Sequence, residues 1–121
     1  MLQGEEIPYR SVLGFYKEGT DRVILKVMGD GSSLYVEIPS HLRNRAEVVV
    51  GSRLKGKLKR VYRAGRKVEE KVDWDFDWEV EGYWNELHIP QEVVSALGLR
   101  PGDYLELVFQ KVVNYGEEFE L

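Results

Sequence analysis

Ile38-Pro39 and Ile89-Pro90 lie 51 positions apart, and sliding the chain by that offset lays its two halves on each other without a gap. Gly31 falls on Gly82, Gly51 on Gly102, Leu54 on Leu105 and Val61 on Val112. Apolar character persists where identity does not. Val23, Leu25 and Val27 fall on Trp74, Phe76 and Trp78, while Val36 falls on Leu87, Leu42 on Val93, Val48 on Leu99 and Leu58 on Phe109. Chance supplies a few identities, but it does not readily hold an apolar phase over the whole offset. The chain therefore reads as one unit used twice, approximately residues 20–62 and 71–113. With 121 residues in all, both copies belong to one domain.

Each copy follows the same physical script. Arg22–Met28 and Asp73–Val80 alternate apolar and polar with period two, the pattern of a half-buried strand. Gly31 and Gly82 end those strands in turns. Leu34–Ile38 and Glu86–Ile89 are second, shorter strands. Proline at 39 and 90 cannot donate to a ladder but suits the start of a helix. Gln91–Leu97 reads as a short helix with Val93, Val94 and Leu97 on one side and Gly98 as its stop. Ser40–Ala46 is the weaker equivalent. Arg100-Pro101-Gly102-Asp103 is a turn, after which Leu105, Leu107 and Phe109 alternate along a long strand, as do Leu54 and Leu58. Ser11–Tyr16 adds a strand before the first copy, turning at Lys17-Glu18-Gly19-Thr20. The unit is strand, strand, helix, strand. Two units are expected to close one barrel, because neither half buries its apolar face alone.

Composition narrows the function. There is no cysteine, which excludes disulfides, zinc fingers and thiol chemistry. No apolar run approaches the roughly 20 residues that span a bilayer, and Met1–Arg10 lacks a basic stretch followed by an apolar one. A soluble, cytoplasmic protein with no membrane contact is the expectation. Glu, Lys and Arg are abundant and Asn and Gln scarce at three each, a balance common in thermophilic proteins. The net charge of −4 hides an asymmetry. Residues 21–62 hold nine Lys/Arg and four Asp/Glu, or +5; residues 71–113 hold three and nine, or −6. Such asymmetry reports on partners, or on how the halves meet.

The second copy, Asn85-Glu-Leu-His-Ile-Pro-Gln-Glu-Val-Val-Ser-Ala-Leu-Gly-Leu-Arg-Pro-Gly-Asp-Tyr-Leu-Glu-Leu107, resembles the AbrB/MazE family of small DNA-binding regulators and antitoxins. The resemblance rests on Ile89-Pro90, Leu97-Gly98-Leu99 and Pro101-Gly102-Asp103 and covers residues 72 to 113. The first copy keeps Ile38-Pro39 and Gly51. The family implies a mainly β fold with two short helices, a closed cradle-loop barrel of the swapped-hairpin kind. The related double-psi barrel shares the same unit, and both topologies stay open. Family members pair as dimers of one unit per chain, so two units imply a monomeric pseudo-dimer or a homodimer of it. The family also implies double-stranded DNA, or a protein such as a toxin, as partner, and no cofactor. It carries an arginine near two residues before the isoleucine and another on the helix. Those positions hold Glu86 or its neighbours and Val94 in the second copy, and Val36 or Tyr35 and Arg43 in the first. Arg43 alone carries over.

Basic residues crowd one segment: Arg53, Lys55, Lys57, Lys59, Arg60, Arg63, Arg66 and Lys67. Lys55, Lys57 and Lys59 share one strand face, spaced about 6.6 Å apart, and Arg63, Arg66 and Lys67 surround an Ala64-Gly65 hairpin tip. Such a face grips phosphates, and equally it is a solvated or internally paired strand. The nucleic-acid candidates are Arg43, Arg60, Arg63, Arg66 and Lys67. Asp73, Asp75, Asp77, Glu79 and Glu81 line the opposing strand between Trp74, Phe76, Trp78 and Val80. Carboxylates on one straight strand diverge, which argues against a closed metal shell. His41 and His88 lack a neighbouring nucleophile and orienting acid in sequence, so no catalytic residue is expected. Gly29-Asp30-Gly31 reads as a hairpin turn. Tyr83-Trp84 is either a stacking platform for bases or packing.

Pairing residues 53–62 with 68–80 so that their numbers sum to 130 satisfies both faces. It sets Lys57, Lys55 and Arg53 against Asp73, Asp75 and Asp77, and Leu58, Gly56 and Leu54 against Val72, Trp74 and Phe76. The expected function is an AbrB-like DNA-binding regulator or antitoxin-type protein. The alternatives are a protein-interaction or structural barrel that leaves nucleic acid alone, and a small-ligand barrel.

Overall fold

The computed structural model describes residues 22–30, 33–65, 69–82 and 85–121. The expected strand at Ser11–Tyr16, and Gly31, Arg66, Lys67, Tyr83 and Trp84, lie outside the described residues. The elements are β1 (Arg22–Lys26), β2 (Met28–Asp30), β3 (Ser33–Glu37), α1 (Ser40–Arg45), β4 (Arg53–Tyr62), β5 (Glu69–Glu81), β6 (Glu86–His88), α2 (Gln91–Leu97), β7 (Tyr104–Asn114) and β8 (Glu117–Glu120). The chain is mainly β, its strands forming one curled antiparallel sheet like a half-barrel, with two short helices. The strand order is β1-β7-β4-β5-β6-β3-β2, with β8 also pairing β7. No described helix is long and apolar enough to cross a membrane.

The alternation read from the sequence sets which side chains turn inward. Leu54, Leu58 and Val61 of β4, Phe76, Trp78 and Val80 of β5, and Leu105, Leu107, Phe109 and Val112 of β7 fill one core with Leu42 and Ile38. The helices begin where proline ends each short strand: Pro39 and Pro90 are the N-caps, both extended at φ −60° and −59°. The left-handed Gly98, φ 61°, stops α2. Three-stranded crowding at β4 requires a residue without a side chain. A Cβ on Gly56 would overlap the Val108 carbonyl oxygen, and the Phe76 ring lies over the gap.

The β4–β5 register differs from the expected one by two residues. Lys57 opposes Asp75, Lys55 opposes Asp77, Gly56 opposes Phe76 and Leu58 opposes Trp74. The two residues have separate origins. Tyr62 pairs with Glu69, so the connection at the tip is one residue longer than the pairing sum of 130 requires. A bulge between Leu58 and Arg60 then sets two β5 residues against one on β4, and Asp73 there takes φ 61°. Over Arg53–Leu58 the shift is even and keeps each side chain on its expected face, which is why the charge ladder survives it.

Backbone hydrogen bonds recur at the offset found in the sequence. Ile38 N–H donates to Asn85 O at 2.8 Å, and Ile89 N–H to Leu34 O at 2.9 Å. Leu42 and Arg43 N–H donate to Pro39 O, as Val93 and Val94 N–H do to Pro90 O. Ser52 N–H donates to Val49 O and Asp103 N–H to Arg100 O. Two cross-strand pairs, Val36 with Leu87 and Lys57 with Val108, join residues 51 apart. The opening strand departs from this offset. Val27 bonds Asp103 O and Gly102 N–H, whereas Val80, not Trp78, bonds Ser52 O and Gly51 N–H. Its counterpart is therefore 53 residues on. The β5–β6 hairpin, pairing Val80 with Leu87, is two residues longer than β2–β3, which pairs Gly29 with Leu34.

Candidate functional site

The basic strand is answered residue by residue. Arg53 bonds Asp77 at 2.7 Å, Lys57 bonds Asp75 at 2.6 Å and Lys59 bonds Asp73 at 2.9 Å, all across the β4–β5 ladder. Lys55 reaches Glu118 of β8 at 2.6 Å. Its hydrogen bond to Glu118 raises the Lys55 pKa, as the bond to Asp75 raises that of Lys57. The partners move the other way: the Lys59 hydrogen bond lowers Asp73, and the Lys55 and Lys111 hydrogen bonds lower Glu118.

Arg60 and Arg63, both nucleic-acid candidates, are drawn further in. Glu106 is 2% exposed and lies on the face of β7 away from the core, where Arg60 (3.0 Å), Arg22 (2.5 Å) and the Tyr62 hydroxyl (3.3 Å) converge on its carboxylate. That hydrogen bond raises the Arg60 pKa. Burial, then the Glu106 charge, pushes the Tyr62 phenol up to about 12. Arg63 donates to Glu70 at 2.8 Å, to the Leu97 and Gly98 carbonyls at 2.6 and 3.2 Å and to Asp103 at 3.4 Å. The Glu70 hydrogen bond raises its pKa first. Asp103 is fully buried and also accepts from the backbone N–H of Ala64 and Arg100.

This second cluster has a counterpart 51 residues earlier. Ser52 stands where Asp103 does, its Oγ accepting from Val49 N–H at 3.0 Å and donating to the Asn114 side-chain oxygen. Asn114 stands where Arg63 does, its Nδ2 donating to Glu47 O at 2.7 Å, just as Arg63 reaches Gly98 O. Each cluster clasps the end of a long strand to the turn after a helix. One clasp is ionic and the other neutral. Neither was visible in the sequence, because Ser52/Asp103 and Arg63/Asn114 match in place and not in type.

Arg43 stands elsewhere. It lies on α1 beside a groove of about 510 Å³ between β1, the β2 start and the Ile38-Pro39 corner. Leu25, Met28 and Ile38 give the groove an apolar surface. Lys26, Glu37 and Tyr104 share its rim with Arg43. The structure thus separates the candidates into three places: Arg43 at the groove, Arg60 at Glu106, Arg63 in a clasp. Arg66 and Lys67 are outside the described residues.

His88 gains neighbours that the sequence did not reveal. Ser33 Oγ lies 3.4 Å from Nδ1, and a Glu81 oxygen lies 3.9 Å from the same nitrogen. A relay needs the hydroxyl and the acid on opposite ring nitrogens, so this grouping does not orient a nucleophile. Among the described residues no three His, Asp or Glu side chains are placed to hold a metal ion. No family model, curated protein or solved structure matches the chain.

Proposed function

We propose that the chain is a duplicated AbrB-type barrel, closed in the cradle-loop manner, that works without catalysis as an antitoxin-type binding protein. The groove beside α1 takes an extended polypeptide segment. Duplication is supported by the hydrogen bonds and clasps repeated at 51 residues. Closure is supported by chain order, since β1 and β2, the two ends of the strand sequence, are separated only by Val27.

The observation that carries the binding reading is the neutralised strand. Arg53, Lys55, Lys57, Lys59, Arg60 and Arg63 all hold carboxylates of the same chain. A phosphate backbone would have to displace each of them. The groove pairs an apolar surface with a rim of mixed charge, Lys26 and Arg43 beside Glu37, which suits an extended segment whose apolar side chains are flanked by polar and charged groups. DNA contact is the second reading. It is favoured by Arg43, the helix arginine implied by the family, sharing that rim with Lys26.

Selection of peptides from a displayed library, with duplex DNA anisotropy alongside, tests both. Selected peptides should lose binding to the Met28→Asp and Arg43→Glu proteins, and DNA affinity should stay weak. Tight duplex binding that weakens steeply between about 50 and 200 mM salt, lost on Arg43→Glu, would establish the DNA reading instead.

A further inference from the structure

β5 is 13 residues long, and only its end reaches the next strand. β4 pairs it from Glu69 to Glu79 across the bulge, while β6 pairs Val80 and Glu81 alone. Among the described residues no strand lies along the other side of Glu69–Glu79. Val80 fixes which backbone groups face that side. Its N–H donates to Ser52 O and its carbonyl accepts from Gly51 N–H, both toward the start of β4. Backbone direction alternates along an antiparallel strand, so Trp78, Phe76 and Trp74 also turn to β4. The N–H and C=O groups of Asp75, Asp77 and Glu79 point the other way. The Asp77 carbonyl accepts from Arg53 Nη2 at 3.0 Å, and the others meet no strand among the described residues.

We infer that the Trp74–Glu79 edge takes up a strand from another protein, one in which basic and apolar residues alternate. The backbone groups of Asp75, Asp77 and Glu79 supply the ladder for such an added strand. Trp74 supplies an apolar anchor. It stands opposite the buried Leu58, on the core face, yet it is 41% exposed where Phe76 and Trp78 are buried. Half-exposed tryptophan beside a free edge is the kind of side chain on which interfaces depend. The outer face supplies the charge preference. Asp73, Asp75, Asp77 and Glu79 share the cations Arg53, Lys57 and Lys59, because Lys55, opposite Asp77, turns to Glu118. Asp75 remains 82% exposed with its lysine in place. Lysine or arginine on the added strand would stand beside these carboxylates, and its apolar residues beside Trp74. A second copy fits badly, since two β5 edges side by side would set acid against acid along Asp73–Glu79, which holds no base. The site is bounded by the bulge at Asp73 and by the β6 pairing, leaving six residues or about 20 Å. It lies apart from the groove, which no β5 residue lines.

A decapeptide of alternating lysine and valine is the probe. Titrated into the isotope-labelled full chain, it should shift the amide resonances of Asp75, Asp77 and Glu79 and slow their hydrogen exchange. A peptide of the same composition with its lysines and valines in two blocks should bind roughly tenfold more weakly, and one with glutamate for lysine should not bind. Methylating the probe's backbone nitrogens keeps its side chains and should abolish binding, with the protein untouched. Asp77→Pro removes an edge N–H and spares the β4 ladder. It should weaken binding roughly tenfold beyond Asp77→Ala, with circular dichroism reporting the fold. Met28→Asp, in the groove, should leave binding unchanged. Slow exchange at Asp75, Asp77 and Glu79 in the free, unaltered protein would overturn the inference, because the edge would already be occupied. So would no binding of the alternating peptide, equal binding of the blocked one, which would reduce the effect to net charge, or loss of binding on Met28→Asp, which would place the peptide in the groove.

Discussion

At the scale of single residues, buried polar groups distinguish the two halves of the chain more sharply than the core does. Asp103 and Ser52 occupy corresponding places, but one holds an arginine and the other an amide. Removing one member of a buried ion pair leaves the other charge uncompensated and costs about 3–5 kcal/mol, whereas a lost neutral hydrogen bond costs about 1 kcal/mol. Asp103→Ala should therefore destabilise about three times as much as Ser52→Ala in urea unfolding, and equal effects would show that Arg63 is satisfied by Glu70 and the carbonyls without it. Tyr62 provides a second measurement. Its phenol is held protonated up to about 12, above the ordinary 10.0. The stability this contributes is complete below pH 10 and is lost as pH rises through 12. Absorbance at alkaline pH should show a tyrosine ionising near pH 12, and Tyr62→Phe should delete that step.

At the scale of elements, the β4–β5 hairpin makes a register claim that charge reversal can read. Lys57→Asp should lower the melting temperature, and adding Asp75→Lys should recover it where adding Asp73→Lys does not. Recovery by position 73 would return the hairpin to the pairing that sums to 130. The hairpin also shows which features a sequence carries and which it hides. Alternation in Lys55–Lys59 and Asp73–Glu79 announces two strands with charges on one face, because side-chain direction has period two. It is blind to shifts of two, so neither the longer tip nor the bulge at Asp73 was legible. Gln91–Leu97 with Gly98 was legible to the residue, since proline and a left-handed glycine mark its ends. An aromatic residue opposite Gly56 was expected, but Phe76 takes the place assigned to Trp74, following the same two-residue shift. β8 was not foreseen: Glu117-Glu118-Phe119-Glu120 has no buried face, and its pairing with β7 and the ion pairs of Glu118 are visible only in three dimensions. The groove was missed for a similar reason, since Leu25 and Met28 meet Ile38, Arg43 and the far more distant Tyr104 only in the folded chain.

At the scale of the whole molecule, what matters is how much of the +5 of the first half remains available to a polyanion. A charge asymmetry of this size looks like a nucleic-acid footprint when read along the chain. In the folded protein the acidic strand lies beside the basic one, and Asp73, Asp75 and Asp77 hold Lys59, Lys57 and Arg53. The salt dependence of DNA binding counts phosphates engaged, with a slope of about −0.9 per phosphate in log–log form. The unaltered protein should therefore show weak duplex affinity and a shallow slope. Replacing the three aspartates by asparagine keeps side-chain size and leaves three strand cations without their acids. That variant, Asp73→Asn/Asp75→Asn/Asp77→Asn, should bind duplex DNA more tightly, without sequence preference, and with a slope steeper by up to about 3. Asn at position 73 also tolerates the left-handed backbone of the bulge, so the register should persist. An unchanged slope in a variant that keeps its circular dichroism would mean that the carboxylates do not mask the strand, and that Arg53, Lys57 and Lys59 are turned from solvent by something other than their ion pairs.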